Sequence, residues 1–536
     1  RQMCIRDRPN PSKRTYIPKK NGKKRPLGIP SFDDKLVQEV VRMILEAIYE
    51  GSFEHTSHGF RPKRSCHTAL IDIQKTFTAV KWFIEGDIKG FFDNINHDVL
   101  INILRERIAD ERFLRLIRKF LNAGYVEDWV FHRTYSGTPQ GGIISPILAN
   151  IYLDKFDKYI KEYTNRFNKG VTRKGDARYK LYEQRRYRLA KKLKNEKDVN
   201  VREQMTAEIK RLREERNNYP ARNEMDSSIK RLKYVRYADD FLIGITGSLE
   251  DCKTVKEDIK NYLNEALKLE LSDEKTLITN AQKPAKFLGY DVFIRRCNDL
   301  RKDKFGRTVR AFGHKPVLYL NFETMRKKLF DYKAARIAVV NGKEVWKSIV
   351  RMYMLNLDDL EIVSQFNAEI RGFYNYYSIA NNSYVINSFY HIMSYSMYKV
   401  FASKYKSSVK KILLKYKKNK VFQVAYENSK GKTLYQAFYH DGFKRKKVAG
   451  NIYCDAIPRT VSITGGRNSL MERLKLQVCE LCGATDKLEM HHVRKLKDLK
   501  GKSDWEKKMI ARRRKTLAVC SKCHAKIDPD RRIRLN

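Results

Sequence analysis

Two apolar, strand-like runs bracket an acidic pair. Tyr234-Val235-Arg236 precedes Tyr237-Ala238-Asp239-Asp240, and Phe241-Leu242-Ile243-Gly244-Ile245 follows it. Asp is a poor strand residue, so the pattern predicts a β-hairpin with the carboxylates at its turn. Upstream, Phe83-Ile84-Glu85-Gly86-Asp87 reads as a strand ending at Asp87, and Ile88-Lys89-Gly90 as a tight turn into a helix. Within Tyr16–Pro30 two further short strands flank Asn21-Gly22, the strongest short hairpin signal. Helical spacing takes over elsewhere. Leu189 and Leu193, then Met205, Ile209 and Leu212, recur at three and four and predict two amphipathic helices with a turn near 195–200. Pro220 stops the second helix. From Leu318 to about Leu414 the pattern is helical, with Ile362, Phe366, Ile370, Phe373 and Tyr374 marking one face.

No run of 18 apolar residues occurs, so no membrane span is expected, and no targeting signal is visible. Charge adds a partner class. With 111 Lys plus Arg against 62 Asp plus Glu, the formal net charge is +49, far beyond what solubility needs. An excess of that size predicts a large surface facing polyanions. Nine cysteines, four of them in two Cys-x-x-Cys pairs, suit metal binding in a reducing compartment rather than a disulfide framework. Length predicts about three or four domains. The first eight residues, Arg1 to Arg8, have neither periodicity and are expected to be a foreign leader, with native sequence starting near Pro9 after a lost N-terminal extension.

Paired like charges at a turn make sense if a divalent cation neutralises them. Asp87, Asp239 and Asp240 bring three carboxylates from two strand ends, the set a two-metal phosphoryl-transfer site requires. Cys479, Cys482, Cys520 and Cys523 offer four soft ligands for a tetrahedral zinc ion. The 37 residues between the two pairs exceed ordinary zinc-ribbon spacing, so structure must lie between them. They include His491-His492, and His524 follows the last cysteine directly.

Gly137-Thr138-Pro139-Gln140-Gly141-Gly142 lies between the acidic strands, and Leu271-Ser272-Asp273-Glu274-Lys275-Thr276 with Phe287-Leu288-Gly289-Tyr290 follows them. In this order the blocks resemble those of a reverse transcriptase over roughly residues 14 to 295. Arg371-Gly372-Phe373-Tyr374-Asn375-Tyr376-Tyr377 resembles the maturase domain of group II intron-encoded proteins, and the C-terminal cysteines and histidines resemble an HNH nuclease. The whole therefore resembles a group II intron-encoded protein. The implied fold is multidomain α+β, with right-hand polymerase fingers and palm, an α-helical maturase thumb, and a ββα-metal HNH module containing zinc.

The resemblance implies fingers and palm at 9–300 with a helical insertion at 165–233, thumb at 310–405, a basic DNA-binding segment at 406–470 and HNH at 471–536. The insertion is either a solvated helical pair or an RNA-binding arm. Asp87, Asp239 and Asp240 would bind Mg²⁺, with Mn²⁺ as a substitute; Arg25 and Lys19 would grip the triphosphate. Arg61 would contact template or form a structural salt bridge. Phe92 would be the gate that excludes a 2′-hydroxyl, Gln140 would contact template or nucleotide, and Lys275 would protonate pyrophosphate. In the nuclease His491, His524 and Asp528 would bind a divalent ion and His492 would be the base. Two departures stand out: Lys515 replaces the family's Asn, and Asp528 its last His. The implied partners are group II intron RNA, target DNA and dNTPs, in a cytoplasmic or organellar setting. The implied cycle runs from splicing through nicking of target DNA to cDNA synthesis at the nick. The competing reading is an RNA-binding splicing factor whose HNH module is an inactive zinc DNA-binding domain.

Overall fold

A computed structural model describes residues 9–18, 22, 24–128, 130–138, 141–223, 226–295, 299–302, 305–306, 308–310, 313–427, 433–446, 478–485, 488–493, 496–511 and 515–528. They fall into two compact units, one through Tyr319 and the other from Leu320 onward. The expected foreign leader, Lys19, Gln140 and the stretch 447–477 lie outside the described residues.

The first unit opens with β1 (Ser12–Pro18) and β2 (Lys24–Ile29), antiparallel from Lys13↔Ile29 to Pro18↔Lys24. Then come α1 (Phe32–Tyr49), α2 (Cys66–Thr76), β3 (Trp82–Asp87), the single turn α3 (Phe91–Asn94), α4 (His97–Arg105) and α5 (Glu111–Leu121). Strands β4 (Tyr125–Glu127) and β5 (Val130–His132) complete a four-stranded sheet in the order β2-β1-β4-β5. Helix α6 (Ser145–Phe167) leads to the paired helices α7 (Ala177–Asn195) and α8 (Val199–Asn217), and β6 (Arg231–Tyr237) and β7 (Asp240–Thr246) form the acidic hairpin. After α9 (Leu249–Leu267) come β8 (Leu277–Asn280), β9 (Ala285–Phe287), β10 (Tyr290–Arg295), β11 (Leu300–Lys302), β12 (Thr308–Arg310) and β13 (Lys315–Tyr319).

The central sheet runs β6-β7-β3-β8 and is antiparallel throughout. Its inner positions Ile84, Phe241 and Ile243 share one core with Leu148, Tyr152 and Phe156 of α6 and Val255, Ile259 and Leu263 of α9. Each such side chain contributes about 1.5–3 kcal/mol on burial, so two helices hold the sheet rigid at the end that carries the carboxylates. The predicted insertion helices are present, with their turn at residues 196–198. Leu212 is buried while Leu189, Leu193, Met205 and Ile209 are half-buried, as a two-helix seam requires.

The second unit begins with α10 (Phe322–Asp331) and then departs from the helical expectation: β14 (Ala335–Val340) and β15 (Lys343–Ser348) form a hairpin. Asn341 and Gly342 at its tip have φ of +51° and +73°, the left-handed pair that Asn-Gly adopts in a two-residue turn. Helices α11 (Asp359–Tyr377), α12 (Ile386–Lys404) and α13 (Val409–Tyr416) follow, then β16 (Lys417–Lys418), β17 (Val421–Glu427) and β18 (Thr433–Ala437). The expected boundary at 405 does not separate two bodies. Asn367 of α11 donates to the Ala437 carbonyl at 2.8 Å and accepts from Tyr439 N at 2.7 Å, and Tyr374 donates to the Lys444 carbonyl at 2.7 Å. Buried Phe422, Val424, Phe438 and Phe443 give that segment apolar contacts as well.

The C-terminal part contains β19 (Leu488–His492), α14 (Asp504–Ala511), β20 (Thr516–Cys520) and α15 (Ser521–Ile527). The strands pair antiparallel, with α14 between them in the chain and α15 after them, around a small core of Cys479, Val493, Met509, Leu517, Val519 and Cys520. Among the described residues no helix is long and apolar enough to cross a membrane.

Candidate active site and metal centre

Strand pairing builds the acidic cluster. Tyr237 pairs with Asp240 across a two-residue turn, and Asp240 pairs in turn with Asp87 on the neighbouring strand. Three carboxylates therefore meet at one sheet end, as the sequence predicted. They line a cavity of about 1190 Å³ shared with Arg25, Phe92 and Lys275. The carboxyl of Asp240 is pushed up to about 7, first by the protein packed around the cleft and then by the charges of Asp239 and Asp87, although its own surface stays open to solvent. Burial also raises Asp239. Mutually repelling oxygen donors of this kind fit Mg²⁺ or Mn²⁺, whose charge relieves the repulsion.

The turn is held from behind by groups that sequence reasoning missed. Ala238 has φ +55°, a costly conformation for a residue with a Cβ. Its carbonyl accepts from Arg236 Nη1 at 2.8 Å, and the Arg236 guanidinium is bonded to Asp157 of α6. Gly59 lies directly against the turn: a Cβ there would stand 2.3 Å from Ala238 N. Asn150 of α6 ties both together, donating to the Gly59 carbonyl at 2.8 Å and accepting from Arg236 at 3.3 Å.

Among the expected nucleotide contacts, Arg25 and Phe92 reach the cavity. Phe92 is half-buried, edge-on to buried Phe91 at 5.3 Å and to Phe60 at 6.5 Å. Gly90 at φ +55° makes the turn that delivers this pair after Asp87. Lys275 Nζ donates to Asp87 Oδ2 at 2.7 Å, and that bond raises its pKa. Arg61 forms the structural salt bridge that was one of its two expected roles. Its guanidinium is buried, pairs with Glu50 at 2.9 Å, and donates to the carbonyls of Glu54 at 2.7 Å and Ser57 at 3.0 Å.

In the C-terminal module the sulfur ligand atoms of Cys479, Cys482, Cys520 and Cys523 lie within 4.8 Å of one another. Burial opposes ionisation of Cys479, yet backbone N–H groups of Cys482, Cys520 and Leu481 outweigh it and hold the thiol down to about 6. Such a donor-rich thiol cluster fits zinc. The rings of His491 and His524 stand 5.3 Å apart, and both residues are buried. His492, the next residue on β19, is exposed. Asp528, the expected third ligand, is exposed at the C-terminal cap of α15, one helical turn beyond His524. Glu489, which sequence reasoning passed over, touches a histidine directly: its Oε2 is 2.6 Å from His524 Nδ1. Two imidazoles, one of them held by a carboxylate, are donors that suit a divalent ion.

Comparison with known proteins follows these divisions. Residues 17–175 and 214–292 match the reverse transcriptase (RNA-dependent DNA polymerase) family, interrupted where α7 and α8 are inserted. Residues 319–451 match the type II intron maturase family and 479–524 the AI2M/AI1M-like HNH endonuclease family. The chain is 43% identical over 525 residues to the group II intron-encoded protein LtrA of Lactococcus lactis subsp. cremoris, covering 96% of this chain and 85% of that protein. It is 33% identical over 533 residues to a putative COX1/OXI3 intron 1 protein of Saccharomyces cerevisiae, covering 96% and 62%. The chain belongs to the group II intron-encoded proteins: it is a reverse transcriptase and maturase with an HNH endonuclease domain.

Proposed function

We propose that the cleft at Asp87, Asp239 and Asp240 extends a DNA primer along an intron RNA template, that the maturase region holds that RNA for splicing, and that the HNH module nicks one strand of target DNA. The observation that carries the polymerase reading is the strand register Asp87↔Asp240, which brings the third carboxylate to the acidic hairpin. The three carboxylates would hold Mg²⁺. Held by these residues, the ions would neutralise charge on the attacking and leaving oxygens. Arg25 orients the triphosphate, and Phe92 packs beneath the sugar, where a 2′-hydroxyl would collide. Lys275 leaves Asp87 to hand its Nζ proton to the departing pyrophosphate. Lys19 and Gln140 take the triphosphate and template roles that the family gives their positions.

The proposed domains are fingers and palm to residue 300 with the 165–233 insertion, thumb from 310, and HNH from 471 to 536. Cations between 406 and 470 contact target DNA. Cys479, Cys482, Cys520 and Cys523 would hold structural Zn²⁺, and His491 and His524 the nuclease ion, leaving His492 to take the proton from water. The cut strand then supplies the primer's 3′-hydroxyl, and intron RNA, target DNA and dNTPs are the partners. The direct test mixes the protein with an oligonucleotide-primed RNA template, dNTPs and Mg²⁺. Labelled cDNA is expected; its absence overturns the polymerase reading.

A further inference from the structure

Glu489 stands two residues before His491 on β19, and strand alternation sends both side chains to one face. There Glu489 Oε2 is 2.6 Å from His524 Nδ1, and the His524 ring meets that of His491 at 5.3 Å and 82°. The His524 side chain is 9% exposed and that of Glu489 40%. The carboxylate thus stays hydrated while the imidazole it touches is fixed by packing.

The geometry points to Glu489 as a positioning residue of the nuclease site: it accepts the Nδ1 proton of His524 and so presents Nε2 of that ring to a divalent ion. This rests on the nuclease reading above. A neutral imidazole carries one N–H and one lone pair, and a carboxylate at Nδ1 holds the proton there. It also makes Nε2 a stronger donor, as carboxylate–histidine pairs do at metal sites, where removing the outer partner costs about 10–100-fold in metal affinity. Asp528, the ligand that the family spacing implies, is exposed one helical turn beyond His524, whereas Glu489 bonds the His524 ring itself.

The test uses the full chain with Asp87→Asn and Asp239→Asn, which remove the polymerase carboxylates, and follows Mn²⁺ binding by electron paramagnetic resonance with zinc content measured in parallel. Glu489→Ala should weaken Mn²⁺ binding about 10–100-fold at unchanged zinc content. Glu489→Gln, which keeps an acceptor oxygen, should recover most of the loss, and Asp528→Ala should stay within about twofold of the parent. Where truncation to Ala costs zinc, Glu489→Leu repeats the test with the bulk retained. Parent-like Mn²⁺ affinity in the variants lacking the acceptor overturns the proposal, as does an equal loss in Asp528→Ala. A parent that holds zinc but takes up no Mn²⁺ overturns the nuclease reading itself.

Discussion

Arg236 and Asp157 meet behind the acidic turn as an ion pair with neither side chain exposed, Nε to Oδ1 at 2.8 Å and Nη2 to Oδ2 at 2.5 Å. The remaining contacts of the guanidinium lead to the turn and its support, since Nη1 donates to the Ala238 carbonyl and Nη2 to Ser57 Oγ at 2.7 Å. Asp157 also accepts from Tyr234 at 2.7 Å. The pair therefore fixes the backbone that aims Asp239.

Asp157→Ala leaves that guanidinium buried without its counter-ion, which typically costs about 3–5 kcal/mol. The expected outcome is a lower first thermal transition together with lost cDNA synthesis. Arg236→Lys keeps the charge but not the fork, so it should retain more of the fold than of the activity. A wild-type melt for Asp157→Ala would show that the clamp contributes nothing.

Gly59→Ala tests the same turn from the other side. The new Cβ would stand 2.3 Å from a backbone nitrogen, which no side-chain rotation relieves, so the turn must move. A shift of about 1 Å in a reacting group can cost about 100-fold in rate. Primer extension should fall by that order while intron RNA binding is unchanged; full-rate extension would mean that the turn yields freely.

The hairpin and the carboxylate triad were legible in the sequence because two local patterns coincide there: apolar strand runs and acidic residues where strands should end. Their support was not, since Asp157 lies 79 residues before Arg236 and reads as one more polar position on a helix. Arg61 shows the same limit, its Glu50 partner being invisible in a block motif. The β14/β15 hairpin was missed although Asn341-Gly342 announces it, because helical periodicity on both sides set the expectation. Glu489 could have been found by reading outward from His491 at a spacing of two; Asp528 drew attention only through family spacing.

Asp239→Ala should abolish cDNA synthesis, because it removes a proposed metal ligand at the centre of the cleft. RNA affinity should be unchanged, since it arises from many dispersed cations rather than one acid. The two readouts are primer extension and RNA filter binding. Extension at the wild-type rate would dismiss the triad.

Phe92 packs edge-on to buried Phe91 and also lines the cavity, so its ring serves either packing or sugar selection. Phe92→Ala should raise rNTP incorporation relative to dNTP, with little change in melting because the side chain is only half-buried. An unchanged sugar preference with a lowered melting temperature would assign the ring to the core.

In the proposed reading the C-terminal module separates structural zinc from nuclease chemistry. Among the described residues its core has six buried members, two of them cysteines, and small zinc domains draw much of their folding energy from the metal. Cys479→Ser should therefore release zinc and unfold the module, and nicking should fail with it. His492 is exposed at the end of β19, outside that core, so His492→Ala should keep zinc, keep polymerisation on a pre-annealed primer, and lose only the nick. The measurements are zinc content, primer extension, and strand scission of target DNA by the intron RNA complex in Mg²⁺ or Mn²⁺. Retained scission in His492→Ala would move the base elsewhere. A wild-type protein that binds zinc yet cuts nothing would identify the module as a DNA-binding domain, with Lys515 and Asp528 as marks of lost cleavage.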